Sequence, residues 1–291
     1  MDSTKKSYLF AILAILLWST VSTAFKVALK YMDFLQLLFY SSATSLIIFG
    51  LFILFTKKIV VFENYLKNNF VKAAISGFLN PFLYYVVLLQ AYSLLPAQMA
   101  QPLNYTWPIV LTLFSAKFLG QKLTWKNLVA VFISFAGVFF ISSQGKWFSF
   151  QNTNLFGVFL AAGSSIIWAT YWILNLKDKN ETVPKLFGYF LFGTIYSAFA
   201  CALFSNIVVT ETKAVLAAMY VGCFEMGITF ILWLTALQNS TSNVKINNLV
   251  YLSPFLALIF IHFILGEEIF STTIFGLCLI IFGIIFQRLR F

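Results

Sequence analysis

Apolar residues run along this chain in stretches of about 20, separated by short polar breaks, and the pattern recurs from end to end. A helix needs roughly 20 mostly apolar residues to cross the hydrocarbon core of a bilayer. Ten stretches meet that condition: 8 to 29, 34 to 56, 71 to 91, 97 to 117, 125 to 143, 155 to 175, 185 to 207, 214 to 236, 243 to 264 and 270 to 287. They lack the alternation of barrel strands, and a segment in lipid must satisfy its own backbone, so each reads as a helix. The expected fold class is an all-α integral membrane protein with ten transmembrane helices. The longest break, from Lys57 to Phe70, leaves no room for a soluble domain, so any chemistry lies within or between the helices.

Composition agrees with a lipid solvent. Only 10% of the 291 residues are charged, against roughly 25% in soluble domains. Lys5 and Lys6 ahead of the first run, with Ser22, Thr23 and Ala24 behind it, resemble a cleavable leader. That run outlasts the apolar region of a leader, so it reads as the first transmembrane helix.

Basic residues are distributed unevenly, which sets orientation by the positive-inside rule. With the N-terminus cytoplasmic, one face carries Lys5, Lys6, Lys57, Lys58, Lys67, Lys72, Lys117, Lys122, Lys126, Lys177, Lys179, Lys185, Arg288 and Arg290. The other carries Lys30, Lys146 and Lys213, while Lys26 and Lys245 fall inside spans. Both termini are therefore expected in the cytoplasm. The net charge of +10 then reflects anchoring to an anionic leaflet rather than binding to nucleic acid.

Two segments echo one another. QPLNYTWP, residues 101 to 108, and NNLVYLSP, residues 247 to 254, align at an offset of 146 through Gln101 and Asn247, Leu103 and Leu249, Tyr105 and Tyr251, and Pro108 and Pro254. Gly120 and Gly266 keep the same offset, and LLWST around Trp18 pairs with IIWAT around Trp168 at 150. The reading is a duplicated five-helix unit, residues 1–150 and 151–291. An odd number of spans forces the copies into opposite orientations, giving an inverted repeat. Charge fits the inversion, because the loop after the fourth span carries Lys122 and Lys126 while its counterpart carries Glu267 and Glu268. The glutamates read as a loop cap that sets topology, or alternatively as a paired-carboxylate site.

These residues carry a family resemblance. LLWSTVSTAFK, NYTWPIVLTLFSAKFLGQK, IIWATYW and NNLVYLSPFLALIFIHFILGEE resemble the drug/metabolite transporter superfamily, EamA-type, over essentially the whole chain. NYTWP followed by GQK is similar to its aromatic amino-acid exporter branch. The resemblance implies a ten-helix transporter, with export as its direction. Gln121 and Lys122 depart from the Gly-Glu-Arg of most members, and FLNPFLYY in the third span points to no one substrate.

On a helix Gln101, Tyr105 and Pro108 share one face, and Asn247, Tyr251 and Pro254 do likewise. Each proline also removes the bond to the carbonyl four residues back, at Asn104 and Val250. Such groups are tolerated at membrane depth against protein or a water-filled cavity. One reading makes them helix-to-helix glue with proline kinks; the other, favoured by the inverted duplication, makes them walls of a central polar cavity. Expected cavity residues are Trp18, Asn80, Tyr84, Gln101, Asn104, Tyr105, Trp168, Glu225, Asn247, Asn248 and Tyr251, with Pro108 and Pro254 as hinges of alternating access.

Glu225 lies 11 residues into its span, roughly 16 Å deep at 1.5 Å per residue. An ionisable group there is costly and normally faces a cavity or a partner. Its expected roles are proton coupling, binding of a substrate amine, or a structural hydrogen bond. Aromatic neighbours suit an ammonium group through cation–π attraction, and amides suit a carboxylate, so the expected cargo is an amino acid or related amphipathic metabolite. A drug or S-adenosylmethionine-type cargo is the alternative.

Other classes find little support. One histidine, His262, and three isolated cysteines, Cys201, Cys223 and Cys278, form no metal or catalytic constellation, so neither a cofactor nor an intramembrane enzyme is expected. No P-loop signature occurs for ATP, and no ring of charge or repeated filter suggests a channel. A multi-pass cell-membrane carrier, with a small-molecule substrate and the bilayer as partners, is the expectation. No obligate protein partner is evident.

Overall fold

The computed structural model describes residues 3–119, 125–147, 153–239, 246 and 249–286. All regular structure among them is helical. In order these are α1 (Ser3–Ala28), α2 (Phe34–Phe55), α3 (Ile59–Gly77), a π-helical segment (Phe78–Leu83), α4 (Tyr84–Leu94), α5 (Ala97–Asn104), α6 (Trp107–Leu119), α7 (Trp125–Ser142) and α8 (Leu155–Lys177). There follow α9 (Thr182–Phe204), α10 (Thr212–Val221), a second π segment (Gly222–Gly227), α11 (Ile228–Gln238), a 3₁₀ turn (Val250–Leu252), α12 (Ser253–Phe260), a third π segment (Ile261–Leu265) and α13 (Ser271–Phe286).

Seven helical stretches are long and apolar enough to cross a membrane: Lys5–Ala28, Phe34–Phe55, Ile59–Leu94, Trp125–Ser142, Leu155–Asn175, Thr182–Phe204 and Thr212–Trp233. Large apolar side chains cover their outsides, with Phe132 75%, Phe159 75% and Phe199 66% exposed. In water such a surface would drive association; in lipid it is the expected exterior. The break anticipated at 57 to 70 is mostly helix. α3 begins at Ile59 and bends at Asn69 (φ −133°, ψ 27°), because Phe62 and Tyr65 find apolar cover against Phe187 and Gly188 that no local hydropathy reveals.

The chain forms two compact units, 1–86 with 180–265, and 87–179 with 266–291. Each draws on both halves of the sequence. In the first, α1 packs against α10, α11 and α12, while α2 packs against α9 and the second π segment. Hydroxyls tie these helices together. Ser7 donates to the Ala236 carbonyl (2.7 Å), Ser41 to that of Ala218 (3.0 Å), and Thr20 and Tyr220 share a bond of 2.6 Å. In a solvent that offers no hydrophobic drive between helices, small and hydroxylated residues supply the contact. Where α3 meets α9, a Cβ on Gly77 would stand 2.4 Å from the Tyr189 carbonyl, so the backbones touch. Asp33 starts α2 with a capping box, accepting from Leu35 and Gln36 while its own N–H donates to the Gln36 side chain.

In the second unit α7 and α13 cross at Gly137 and Gly276. A Cβ on either would lie 2.5 to 2.6 Å from the other's carbonyl oxygen. α8 packs on α5 and α6, and Asn104 donates to Ser164 across that contact at 2.8 Å. Glu267 caps α5, its carboxylate accepting from the N–H groups of Ala97 (2.9 Å) and Gln98 (3.2 Å), where a helix favours negative charge. The Gln98 side chain returns the tie, donating to the Glu268 carbonyl and accepting from Phe270 N–H. Glu267 thus caps the N-terminus of α5.

Candidate functional site

Glu225 stands inside the second π segment, between α10 and α11, and the reason it sits there is visible in the backbone. Ile228 N–H donates to the Cys223 carbonyl, five residues back, which skips the carbonyl of Phe224. A skipped carbonyl at membrane depth needs another donor. The Thr229 hydroxyl supplies it. Ser45 of α2 donates to the Gly222 carbonyl at 2.7 Å, and the Trp18 indole N–H donates to that of Glu225 at 3.3 Å. Three side chains, two of them on other helices, therefore hold the bulge open.

The half-buried Glu225 carboxyl accepts from the Tyr85 hydroxyl at 3.0 Å. It pairs with no basic group among the described residues. Further aromatic rings pack on the two side chains that hydrogen-bond to Glu225, Tyr85 and Trp18. Tyr84 packs edge-on to Tyr85 at 4.7 Å, and Trp18 is flanked by Phe230 at 6.3 Å and Trp233 at 5.4 Å. A carboxyl held by one neutral donor has two ways to settle its charge within a span: a proton, or a cation brought in from outside.

π segments collect at functional sites, and a second one lies on the helix that carries Tyr85. Phe78–Leu83 precedes the corresponding half of its helix by 144 residues relative to Gly222–Gly227. Within it Asn80 has extended backbone (φ −149°, ψ 121°) and its side chain is 1% exposed.

The two echoing motifs also interrupt their helices. α5 ends at Asn104, Tyr105 and Thr106 form a turn, and α6 resumes at Trp107, so Pro108 is the second residue of a new helix. Pro254 opens α12 after the 3₁₀ turn that holds Tyr251. Both prolines occupy first-turn positions, where the missing N–H is harmless. Before Pro108 the helix is broken by a turn, whereas before Pro254 it tightens through the 3₁₀ turn and runs on into α12.

Of the expected cavity residues, Trp18, Asn80, Tyr84, Glu225 and Tyr251 belong to the first unit; Trp18 and Tyr85 both hydrogen-bond to Glu225, and Tyr84 packs on Tyr85. Gln101, Asn104, Tyr105 and Trp168 belong to the second. There Gln101 accepts from Tyr92 at 2.7 Å, and Trp168 packs on Tyr171 and Trp172. Asn247 and Asn248 lie outside the described residues. Thr229 and Ser45 escaped sequence reading, although Ser41, Ser42 and Ser45 at helical spacing in an apolar run mark a polar face. Replacing Thr229 by Val should lower stability by about 1 to 3 kcal/mol, the cost of a buried unmet acceptor, while Thr229→Ser keeps it. Thermal unfolding in detergent decides: equal midpoints for wild type and Thr229→Val would show the bulge needs no such donor.

Long helices with apolar exteriors, some interrupted within their spans, fit a multi-pass membrane protein. The chain belongs to the EamA-like transporter family, whose model matches residues 5–143 and again 155–288. It is 28% identical to an uncharacterized transporter of Archaeoglobus fulgidus over 90% of each chain. It is 23% identical to the uncharacterized transporter YvbV of Bacillus subtilis strain 168, over 98% of this chain and 92% of that one. The aromatic amino acid exporter YddG of Ancylobacter novellus is 26% identical over 52% of this chain and 53% of its own. A solved crystal structure shares the fold at a TM-score of 0.67, with 21% identity, 97% of this chain and 96% of that one. It is a membrane transporter, and its family implies a small-molecule substrate.

Proposed function

We propose that this transporter is a ten-helix secondary carrier made of two inverted five-helix repeats, 1–150 and 151–291, with both termini cytoplasmic. It exports an amino acid or related amphipathic metabolite by alternating access. The observation that carries this reading is the pairing of helix interruptions. The break at Tyr105 and the turn at Tyr251 stand 146 residues apart, and the π segments at 78–83 and 222–227 stand 144 apart. Repeated broken helices near mid-membrane are where carriers bind substrate. The two matches of the family model, one per half, and the relative named for amino-acid export lend support.

In this reading Trp18, Asn80, Tyr84, Gln101, Asn104, Tyr105, Trp168, Glu225, Asn247, Asn248 and Tyr251 contribute to the substrate cavity, Pro108 and Pro254 mark its hinges, and Glu225 couples transport to proton movement. Ligand-dependent thermal stabilisation of the purified protein tests the cargo, since a specific binder at 100 times its Kd adds about 2.7 kcal/mol. Apolar and aromatic amino acids are expected to raise the midpoint. A rise confined to cationic drugs or to S-adenosylmethionine would replace this cargo with the other.

A further inference from the structure

The π segments at Phe78–Leu83 and Gly222–Gly227 differ in one respect. Around Glu225 the acceptors at Gly222, Phe224 and Glu225 each have a side-chain donor. Around Asn80 the side chain itself is left over. Its Oδ1 and Nδ2 are both buried and neither has a hydrogen-bond partner among the described residues.

Burying an amide unpaired costs about 1 to 3 kcal/mol for each lost partner, and native proteins pair nearly all such atoms. An apolar side chain of similar size would serve packing better, because Asn80 sits beside a close backbone contact in which Pro81 reaches 2.4 Å from a Cβ built on Gly193. Next to Gly193, the Thr194 hydroxyl oxygen is buried and unpaired as well. Three unmet polar atoms therefore flank one contact between the first π segment and α9. Five residues further along the chain, Tyr85 holds Glu225.

We propose that Asn80 is a substrate-binding residue that reads the α-ammonium and α-carboxylate end of a zwitterionic amino acid. This rests on the amino-acid reading given above and deepens it by naming the groups recognised. A carboxamide presents one acceptor and two donors. Its oxygen accepts from the ammonium while its nitrogen donates to the carboxylate, and the Thr194 hydroxyl adds a second donor for the carboxylate. Neutral donors suit a zwitterion at membrane depth, because they bring no charge that remains uncompensated when the substrate leaves. Since Asn80 is 1% exposed, the site is occluded here, and the helix interruption at Asn80 is where it opens.

The test uses purified full-length protein in nanodiscs, with L-phenylalanine and phenethylamine as probes, the second lacking the carboxylate. Asn80→Leu is expected to unfold at the wild-type temperature or higher. It should bind L-phenylalanine at least tenfold more weakly, and lose distinctly less affinity for phenethylamine, which makes only the ammonium contact. A fall of several degrees in the ligand-free midpoint would make the amide structural and overturn the proposal. So would unchanged L-phenylalanine affinity in Asn80→Leu, or an equal loss for both probes. Failure of the wild type to bind L-phenylalanine is a different result: it removes the amino-acid reading itself.

Discussion

Gly276→Leu is expected to lower the thermal midpoint by many degrees and to broaden the size-exclusion profile. The α7–α13 crossing is made of small residues in register: Gly276 against Gly137, and Gly283 against Ser134 and Ala130. A Cβ at position 276 would lie 2.5 Å from the Gly137 carbonyl and 2.7 Å from Ile141 Cγ1. The first of these is backbone and cannot rotate away, so the helices must separate along their length. Overpacking a well-filled contact costs about 1 to 3 kcal/mol and sometimes more, and a branched side chain on backbone belongs at the upper end. That is a large share of a total stability of about 5 to 15 kcal/mol. Gly163→Ala in α8 is the control, because a Cβ there meets nothing within 4 Å; replacing a mid-helix glycine by alanine gains about 0.5 to 1 kcal/mol. Size-exclusion profiles and thermal midpoints in detergent separate the two. A monodisperse Gly276→Leu protein with the wild-type midpoint would show that the crossing does not hold the unit together.

Glu225→Gln is expected to remove proton coupling while leaving the fold intact. Glutamine keeps the shape and still offers Tyr85 an acceptor oxygen, so the 3.0 Å hydrogen bond survives and the π segment keeps its donors. What is lost is the ability to exchange a proton. For one proton exchanged per substrate, a gradient of one pH unit supplies about 1.4 kcal/mol, which sustains a tenfold concentration ratio of substrate. In proteoliposomes the wild type should approach that ratio, and Glu225→Gln should settle near equal concentrations while still equilibrating substrate. Equal dependence on pH in the two proteins would exclude Glu225 from coupling.

How much of this was legible in the sequence follows from what set each feature. The all-helical class and seven of the spans were, because lipid imposes length and apolarity on a spanning helix. The interruptions at Tyr105 and Tyr251 were half legible. Their duplication and prolines marked the places, but whether a proline kinks a helix or begins one depends on where the preceding helix stops, which the turn at Tyr105 and Thr106 decides. The π segments were not. The one at Gly222–Gly227 depends on Ser45 and Trp18 arriving from α2 and α1 to take up carbonyls, a tertiary event with no local signal. The glycine contact of Gly137 and Gly276 lies 139 positions apart in the chain and follows no repeat offset. Glu225 was conspicuous because a carboxyl in an apolar run is costly. Asn80, although its position stood out, showed its unmet amide only once its surroundings were known. Gly266 gains a reason too: its φ of +70° favours glycine at the turn into α13, whereas its counterpart Gly120 lies outside the described residues.

Counterflow in proteoliposomes puts the carrier mechanism to its most direct trial. Vesicles loaded with excess unlabelled L-phenylalanine are diluted into a trace of labelled L-phenylalanine, without ATP and without a pH gradient. A site that opens to one side at a time returns loaded from each turn, so label should accumulate transiently above its external concentration and then decline. Label that only equilibrates, at a rate indifferent to the amino acid inside, would mean an open path through the protein and contradict alternating access.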